Sequence, residues 1–188
     1  MKVEPLCSLF GACGGCRYQD IPYEEELALK AGELRATLGE AGAFDAEVFA
    51  DVVPSPDPYH YRNRLDLTFR KGRDGDWKMG FMLEDTHRLE EVSACPIART
   101  EINEFLPRLK GEAALKAGEK YRNANLVVRT GEEGKVFWGG IGRHSLRMKA
   151  EDYFSVTVKG RKIFYSLDTF FQANLSILGK VVDALENG

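Results

Sequence analysis

Apolar positions follow two different periods along this chain. Between Asp20 and Gly42 the period is helical: Tyr23, Leu27, Ala31, Leu34 and Leu38 form a stripe, with Asp20 able to cap and Pro22 suited to the first turn. Glu26 and Lys30 make a favourable i,i+4 pair, and Gly39 and Gly42 end the pattern. A stripe of this kind predicts an amphipathic helix packed on something. From about Val48 the period becomes that of strands. Leu65 to Arg70 alternates apolar and polar, and the turn from Lys71 to Asp76 leads to a partner strand near Lys78 to Leu83. A second hairpin is predicted from Leu126–Thr130 and Val136–Ile141 around Gly131 to Gly134, and a third from Tyr153 to Tyr165 across Lys159, Gly160 and Arg161. Ile97 to Leu109 and Gly111 to Lys120 carry helical or turn-like patterns. Antiparallel hairpins with helices at the side define an α+β fold. A last helix is expected from a cap at Asp168 or Thr169, with Phe171, Leu175, Leu178, Val182 and Leu185 as its stripe.

Composition narrows the class without naming an activity. With 188 residues, 44% hydrophobic and 29% charged, the chain resembles an ordinary soluble globular protein able to bury a core. No apolar run approaches membrane-spanning length, so no membrane partner is expected. The first residues, Met1 to Pro5, lack the apolar stretch of a signal peptide, which makes a cytoplasmic location the expectation. A net charge of -3 argues against a wholly polyanion-binding surface and leaves a local basic patch open. No G-x-G-x-x-G follows a strand, so no doubly wound nucleotide site is encoded in these residues.

The opening stretch, by contrast, has no periodicity and three cysteines. Cys7, Cys13 and Cys16 form C-x5-C-x2-C in a glycine-rich loop, and after 78 intervening residues comes Cys95, followed by Pro96. In a reducing compartment such a cluster suggests metal ligands or redox groups before disulfides. Three close thiolates and one remote one suit an iron–sulfur centre, and the remote ligand is often followed by proline. Tetrahedral zinc accepts four thiolates as well, although it more often uses two C-x2-C knuckles, and only Cys13 and Cys16 make one here.

Four stretches together resemble a known family. "CSLFGACGGCRYQDIPYEEELALK", "PSPDPYHYRNRLDLTF", "KMGFMLEDTHRLEEVSACPI" and "FFQANLSI" are similar, in that order, to the RNA (uracil-5-)-methyltransferases that make 5-methyluridine in 23S ribosomal or transfer RNA. The resemblance implies a 4Fe-4S cluster on Cys7, Cys13, Cys16 and Cys95. It also implies a layout in four parts: an iron–sulfur loop over 1–19, a linking amphipathic helix over 20–47, a central antiparallel β RNA-recognition domain over 48–166, and over 167–188 the start of a Rossmann-like methyltransferase domain that these residues lack. That domain would carry the S-adenosyl-L-methionine site, the cysteine nucleophile and the carboxylate base, and would pack on the helices at 20–42 and 169–188. No catalytic residue is therefore assigned here, and none of the four cysteines is promoted to nucleophile. In the family a thiolate adds to uracil C6, C5 takes the methyl group from S-adenosyl-L-methionine, and a base removes the C5 proton. The target base must first be extruded from its stack.

The remaining candidates follow from residue chemistry and from the resemblance. Arg62 and Arg64 stand on one side of an extended "HYRNR", where guanidinium groups can hold phosphates or stack on bases, and the resemblance supports RNA contact. The competing assignment pairs them with nearby acids such as Asp57 and Asp66. The cationic stretch Arg143 to Lys149 suits a solvated face as well as it suits an extended RNA surface. In "TFFQAN" the resemblance puts Phe170 near the target base and Gln172 against the cofactor. The expected function is thus the RNA-recognition and cluster-binding portion of an RNA uracil-C5 methyltransferase, inactive alone. The alternative is a free-standing iron–sulfur or zinc protein that binds RNA or transfers electrons.

Overall fold

A computed structural model describes residues 2–42, 48–84, 86 and 88–187. The part of the expected 20–47 helix that falls on residues 43–47 lies outside this set, as do Met1 and Gly188 at the outer ends of the 1–19 and 167–188 segments. The elements run α1 (Tyr23–Glu40), β1 (Arg64–Lys71), β2 (Trp77–Met82), β3 (Leu89–Glu91), α2 (Thr100–Ala117), β4 (Asn123–Thr130), β5 (Val136–Gly139), β6 (Phe154–Val158), β7 (Arg161–Tyr165) and α3 (Leu178–Asn187). Antiparallel pairing builds one five-stranded sheet in the order β3-β2-β1-β4-β5 and a separate β6-β7 hairpin. The fold is α+β, as the alternation implied. No helix among the described residues is long and apolar enough to cross a membrane.

Two cores share strand β4, which lies between β1 and β5. On one face, Leu65, Leu67 and Phe69 of β1 and Leu126 and Val128 of β4 pack against the buried side of α2, namely Ile102, Leu106 and Leu109. Phe69 stacks on Trp77 with ring centres 4.3 Å apart. On the other face, Val127 meets Phe154, Val156 and Tyr165 of the hairpin, together with Leu167 and Leu178. A strand covered on both faces becomes a continuous buried run instead of an alternating one, and Leu126 to Thr130 are all buried. The β6-β7 turn places Lys159 at φ 49° and Gly160 at φ 74°, the left-handed pair that a two-residue hairpin loop requires.

Three expectations change. The two helical patterns at 97–109 and 111–120 are one helix, α2, which passes through Gly111 because its apolar face is anchored on both sides of that residue by Leu109 and Ala113. The α1 stripe is only half covered: none of its residues is buried, and Leu34 is exposed. The last helix begins at Leu178 and not at Thr169, because the backbone carbonyls of 169–173 are engaged elsewhere. Deleting the Phe69 ring opens the main core, so Phe69→Ala is expected to lower unfolding stability by about 3–5 kcal/mol in a urea titration monitored by Trp77 fluorescence.

Candidate functional site

The opening loop is held from outside, as its composition requires. Val3 N–H donates to the Asp20 carbonyl at 2.8 Å, and the Glu84 N–H donates to the Ala12 carbonyl at 3.1 Å. Within the loop, the amides of Ala12 and Cys13 both donate to the Leu9 carbonyl. Gly14 has φ 71°, a left-handed conformation that favours glycine in the turn that presents Cys13 and Cys16. Cys95 is held from the opposite side by α2. Its N–H donates to Asn103 Oδ1 at 2.9 Å, and Asn103 Nδ2 donates back to its carbonyl at 3.0 Å.

These two supports bring Cys7, Cys13, Cys16 and Cys95 to the wall of one cavity of about 460 Å³, and all four are free, partly buried thiols. Burial pushes the Cys16 thiol up, Gln19 counteracts this, and Cys7 and Cys13 add to it, while Arg62 favours the thiolate. Burial also pushes Cys95 up, opposed by the amides of Ile97 and Ala98 and reinforced by Cys16 and Cys7. The cysteines thus feel one another across a sequence gap of 78 residues. Among the described residues, no group of three or more His, Cys, Asp or Glu side chains is drawn close enough to hold a bare metal ion. As a donor set for a thiolate-bound cluster the cavity is nevertheless suitable: it has four sulfurs and a buried Gln19 Nε2 without a partner on its wall, and of the two carboxylates that also line it Asp66 is paired with Arg64 and Glu91 with Lys110. A second cleft of about 580 Å³ abuts this one through Cys16 and Gln19 and carries Tyr18, Tyr59, Tyr61 and Lys30.

The "HYRNR" segment is a seam more than a free basic strip. His60 N–H and Arg62 N–H donate to the carbonyls of Pro96 and Ile97, which ties this segment to the Cys95 loop. One residue on, Asn63 N–H donates to the Ala173 carbonyl at 2.9 Å, and Asn63 Nδ2 donates to the Gln172 carbonyl at 3.2 Å. Arg62 lies at the cysteine cavity, with its Nε on the Arg64 carbonyl. Arg64 makes a two-pronged pair with Asp66 at 2.7 and 2.8 Å and also donates to the Leu167 carbonyl, so the acid pairing considered for it is present here. In the 143–149 stretch Arg143, Arg147 and Lys149 are exposed, while Leu146 and Met148 pack on the second core.

Arg129 lies directly opposite Arg64 in the β1–β4 register and is 1% exposed. Its guanidinium donates to the carbonyls of Ser166, Thr169 and Phe171, at 2.7, 2.8 and 3.4 Å, and stacks over the Tyr165 ring. Burial lowers its pKa, and the Arg64 charge adds to the effect. Tyr165 in turn stacks on Phe171 at 4.1 Å. The chain from 166 to 173 is therefore fixed, with the neighbouring side chains turned outward: Phe170 is 85% exposed and Gln172 is exposed. Arg129, Gln19 and Asn103 were not singled out from sequence. The signal for Arg129 was present, a lone charge inside the apolar run Leu126-Val127-Val128.

No family model matches the chain. Curated relatives do. One named as an uncharacterized RNA methyltransferase of Clostridium tetani is 29% identical over 166 residues, 82% of this chain and 36% of the relative. Another of that description from Clostridium acetobutylicum is 32% identical over 111 residues, 58% of this chain and 24% of its own length. The tRNA (uracil(54)-C(5))-methyltransferase of Schizosaccharomyces pombe is 29% identical over 182 residues, 93% of this chain and 33% of the relative. The chain spans about a third of the length of such relatives. Among solved structures, the Pyrococcus abyssi tRNA (uracil-54, C5)-methyltransferase in complex with S-adenosyl-L-homocysteine shares the fold at a TM-score of 0.69 and 20% identity, covering 96% of this chain and 52% of that one. In sequence the chain is thus similar to proteins named RNA methyltransferases, one of them a tRNA (uracil(54)-C(5))-methyltransferase. These relatives do not favour the alternative of a free-standing protein of another class.

Replacing Arg129 by methionine would remove the guanidinium donor from the carbonyls of Ser166, Thr169 and Phe171. Arg129→Met is expected to cost about 3 kcal/mol or more and to speed amide exchange across 166–173, whereas Arg129→Lys retains part of the protection; hydrogen-exchange mass spectrometry resolves both.

Proposed function

We propose that this chain is the RNA-recognition and cluster-binding portion of an S-adenosyl-L-methionine-dependent RNA uracil-C5 methyltransferase, working in the cytoplasm on tRNA or 23S rRNA. The observation that carries most weight is the convergence of four thiols from two distant segments on one cavity, next to a seam that also fixes the 166–173 segment. Cys7, Cys13, Cys16 and Cys95 would hold a 4Fe-4S cluster, which when bound supplies a cross-link between the opening loop and the Cys95 segment. Methyl transfer moves no net electrons, so a structural role is sufficient.

This chain's own residues do the recognising. Phe170, exposed on a rigid segment, is suited to stack on an unstacked base, and Gln172 beside it presents an amide to the polar edge of the cofactor. Arg62 and Arg64 supply cationic character at the seam, and the tyrosine-lined cleft with Lys30 is of the aromatic and basic type that single-stranded RNA occupies. No residue here is assigned as nucleophile or base. The half-covered α1 and the exposed Val181 and Leu185 of α3 are faces on which a methyltransferase domain would pack, which is why the 188 residues alone are expected to leave uridine unmethylated.

Two measurements test this reading. Purified without oxygen, the chain is expected to be brown and to carry roughly four irons, and Cys95→Ser to lose both; a colourless chain holding one zinc would overturn the cluster assignment. In a gel-shift titration with a tRNA transcript, Phe170→Ala is expected to weaken binding about tenfold with unchanged thermal stability, as loss of one stacking contact implies. Unchanged affinity would remove Phe170 from the RNA surface.

A further inference from the structure

Gln19 has one satisfied end and one orphaned end. The side chain is 8% exposed, and its Oε1 accepts the Cys7 N–H at 3.1 Å. The other end, Nε2, is buried with no hydrogen-bond partner. A buried NH₂ group without an acceptor is costly, and native proteins rarely leave one unpaired unless something absent from the protein chain accepts from it. Gln19 and Cys16, three residues apart, both line the cysteine cavity and the cleft beside it, so the orphaned amide sits on the wall that carries this thiol.

We propose that Gln19 is a positioning residue for the cluster, its Nε2–H donating to the ligating sulfur of Cys16 while its Oε1 keeps the Cys7 amide. One side chain then fixes two of the four ligands, and the orphan donor has its acceptor. The inference rests on the cluster assignment made above. An N–H···S hydrogen bond draws charge from the sulfur, which raises the reduction potential of an iron–sulfur centre and holds the ligand in place. A side chain that only braced the Cys7 backbone would do neither at Cys16.

Two variants of the whole chain separate these roles. Gln19→Glu keeps an acceptor for the Cys7 N–H but has no NH₂, and Gln19→Met has neither group and adds no charge. In a dye-mediated titration both are expected to lower the reduced-to-oxidised ratio at fixed potential at least tenfold, about 59 mV for a one-electron couple. An unchanged ratio in either variant overturns the proposal. A second measurement needs no variant at position 19. The chain has two glutamines, Gln19 and Gln172. With glutamine side chains ¹⁵N-labelled in a Gln172→Met background, pulsed EPR of the reduced cluster is expected to show a ¹⁵N coupling. A cluster-loaded chain with no such coupling overturns the role of Gln19 alone, and a chain that takes up no iron overturns the cluster assignment with it.

Discussion

A charged guanidinium with almost no exposure, held by backbone carbonyls instead of a carboxylate, is the constraint on which the functional end of this fold depends. Arg129 remains a cation at neutral pH, and a cation out of water must be compensated by dipoles at close range. The carbonyls of Ser166, Thr169 and Phe171 provide that compensation, so the chain cannot leave them. Those same carbonyls are then lost to any helix that would start at Thr169. Helix α3 is delayed to Leu178, and the residues between stay irregular and held by these bonds, with Phe170 and Gln172 exposed. The irregular segment is rigid for the same reason that it is irregular.

The constraint reaches the cysteines through five residues. Along 60–64 the backbone bonds on one side to the Cys95 loop, through Pro96 and Ile97, and on the other to Ala173. Arg64 pairs in register with Arg129 and adds a bond to the Leu167 carbonyl. Two like charges face each other across β1 and β4, an arrangement that disfavours a sheet unless both are neutralised locally. Asp66 does this for Arg64, and the carbonyl nest does it for Arg129. The cysteine cavity and the segment that carries the exposed Phe170 are thus held by a shared piece of backbone.

Much of this was legible from residues alone, and the failures have a common cause. The hairpins, the antiparallel class and the grouping of the cysteines follow from period, turn chemistry and spacing, which are local signals. Strand β4 begins upstream of its expected start at Leu126 because Asn123 to Asn125 pair with β1 despite their polarity, and pairing is a property of the partner. The start of α3 was placed nine residues early because Asp168 and Thr169 have cap chemistry. Here they serve a turn, with Ser166 Oγ donating to Asp168 and Ser166 N–H donating to Thr169 Oγ1. The competitor for the helix was Arg129, some 40 residues away, and nothing local reports it. Along "HYRNR" the backbone joins the Cys95 loop to the 173 segment, a role that no pattern of side chains reports.

The two halves of the cysteine site differ in how they are supported, which bears on their order of formation. Cys95 sits on a turn clasped by Asn103 of α2, an element anchored in the main core, so its position comes with the fold. Cys7, Cys13 and Cys16 lie on a loop with no strand or helix of its own, attached by a few backbone bonds and by Gln19. Thiols gathered in such a loop gain from a bound cation, which cross-links them as thiolates. The β domain thus presents one of the four thiols on a core-anchored turn, while the other three depend on the few attachments of the loop. A ligand bound across such a junction stabilises the loop far more than the sheet, because only the loop lacks an independent reason to be where it is.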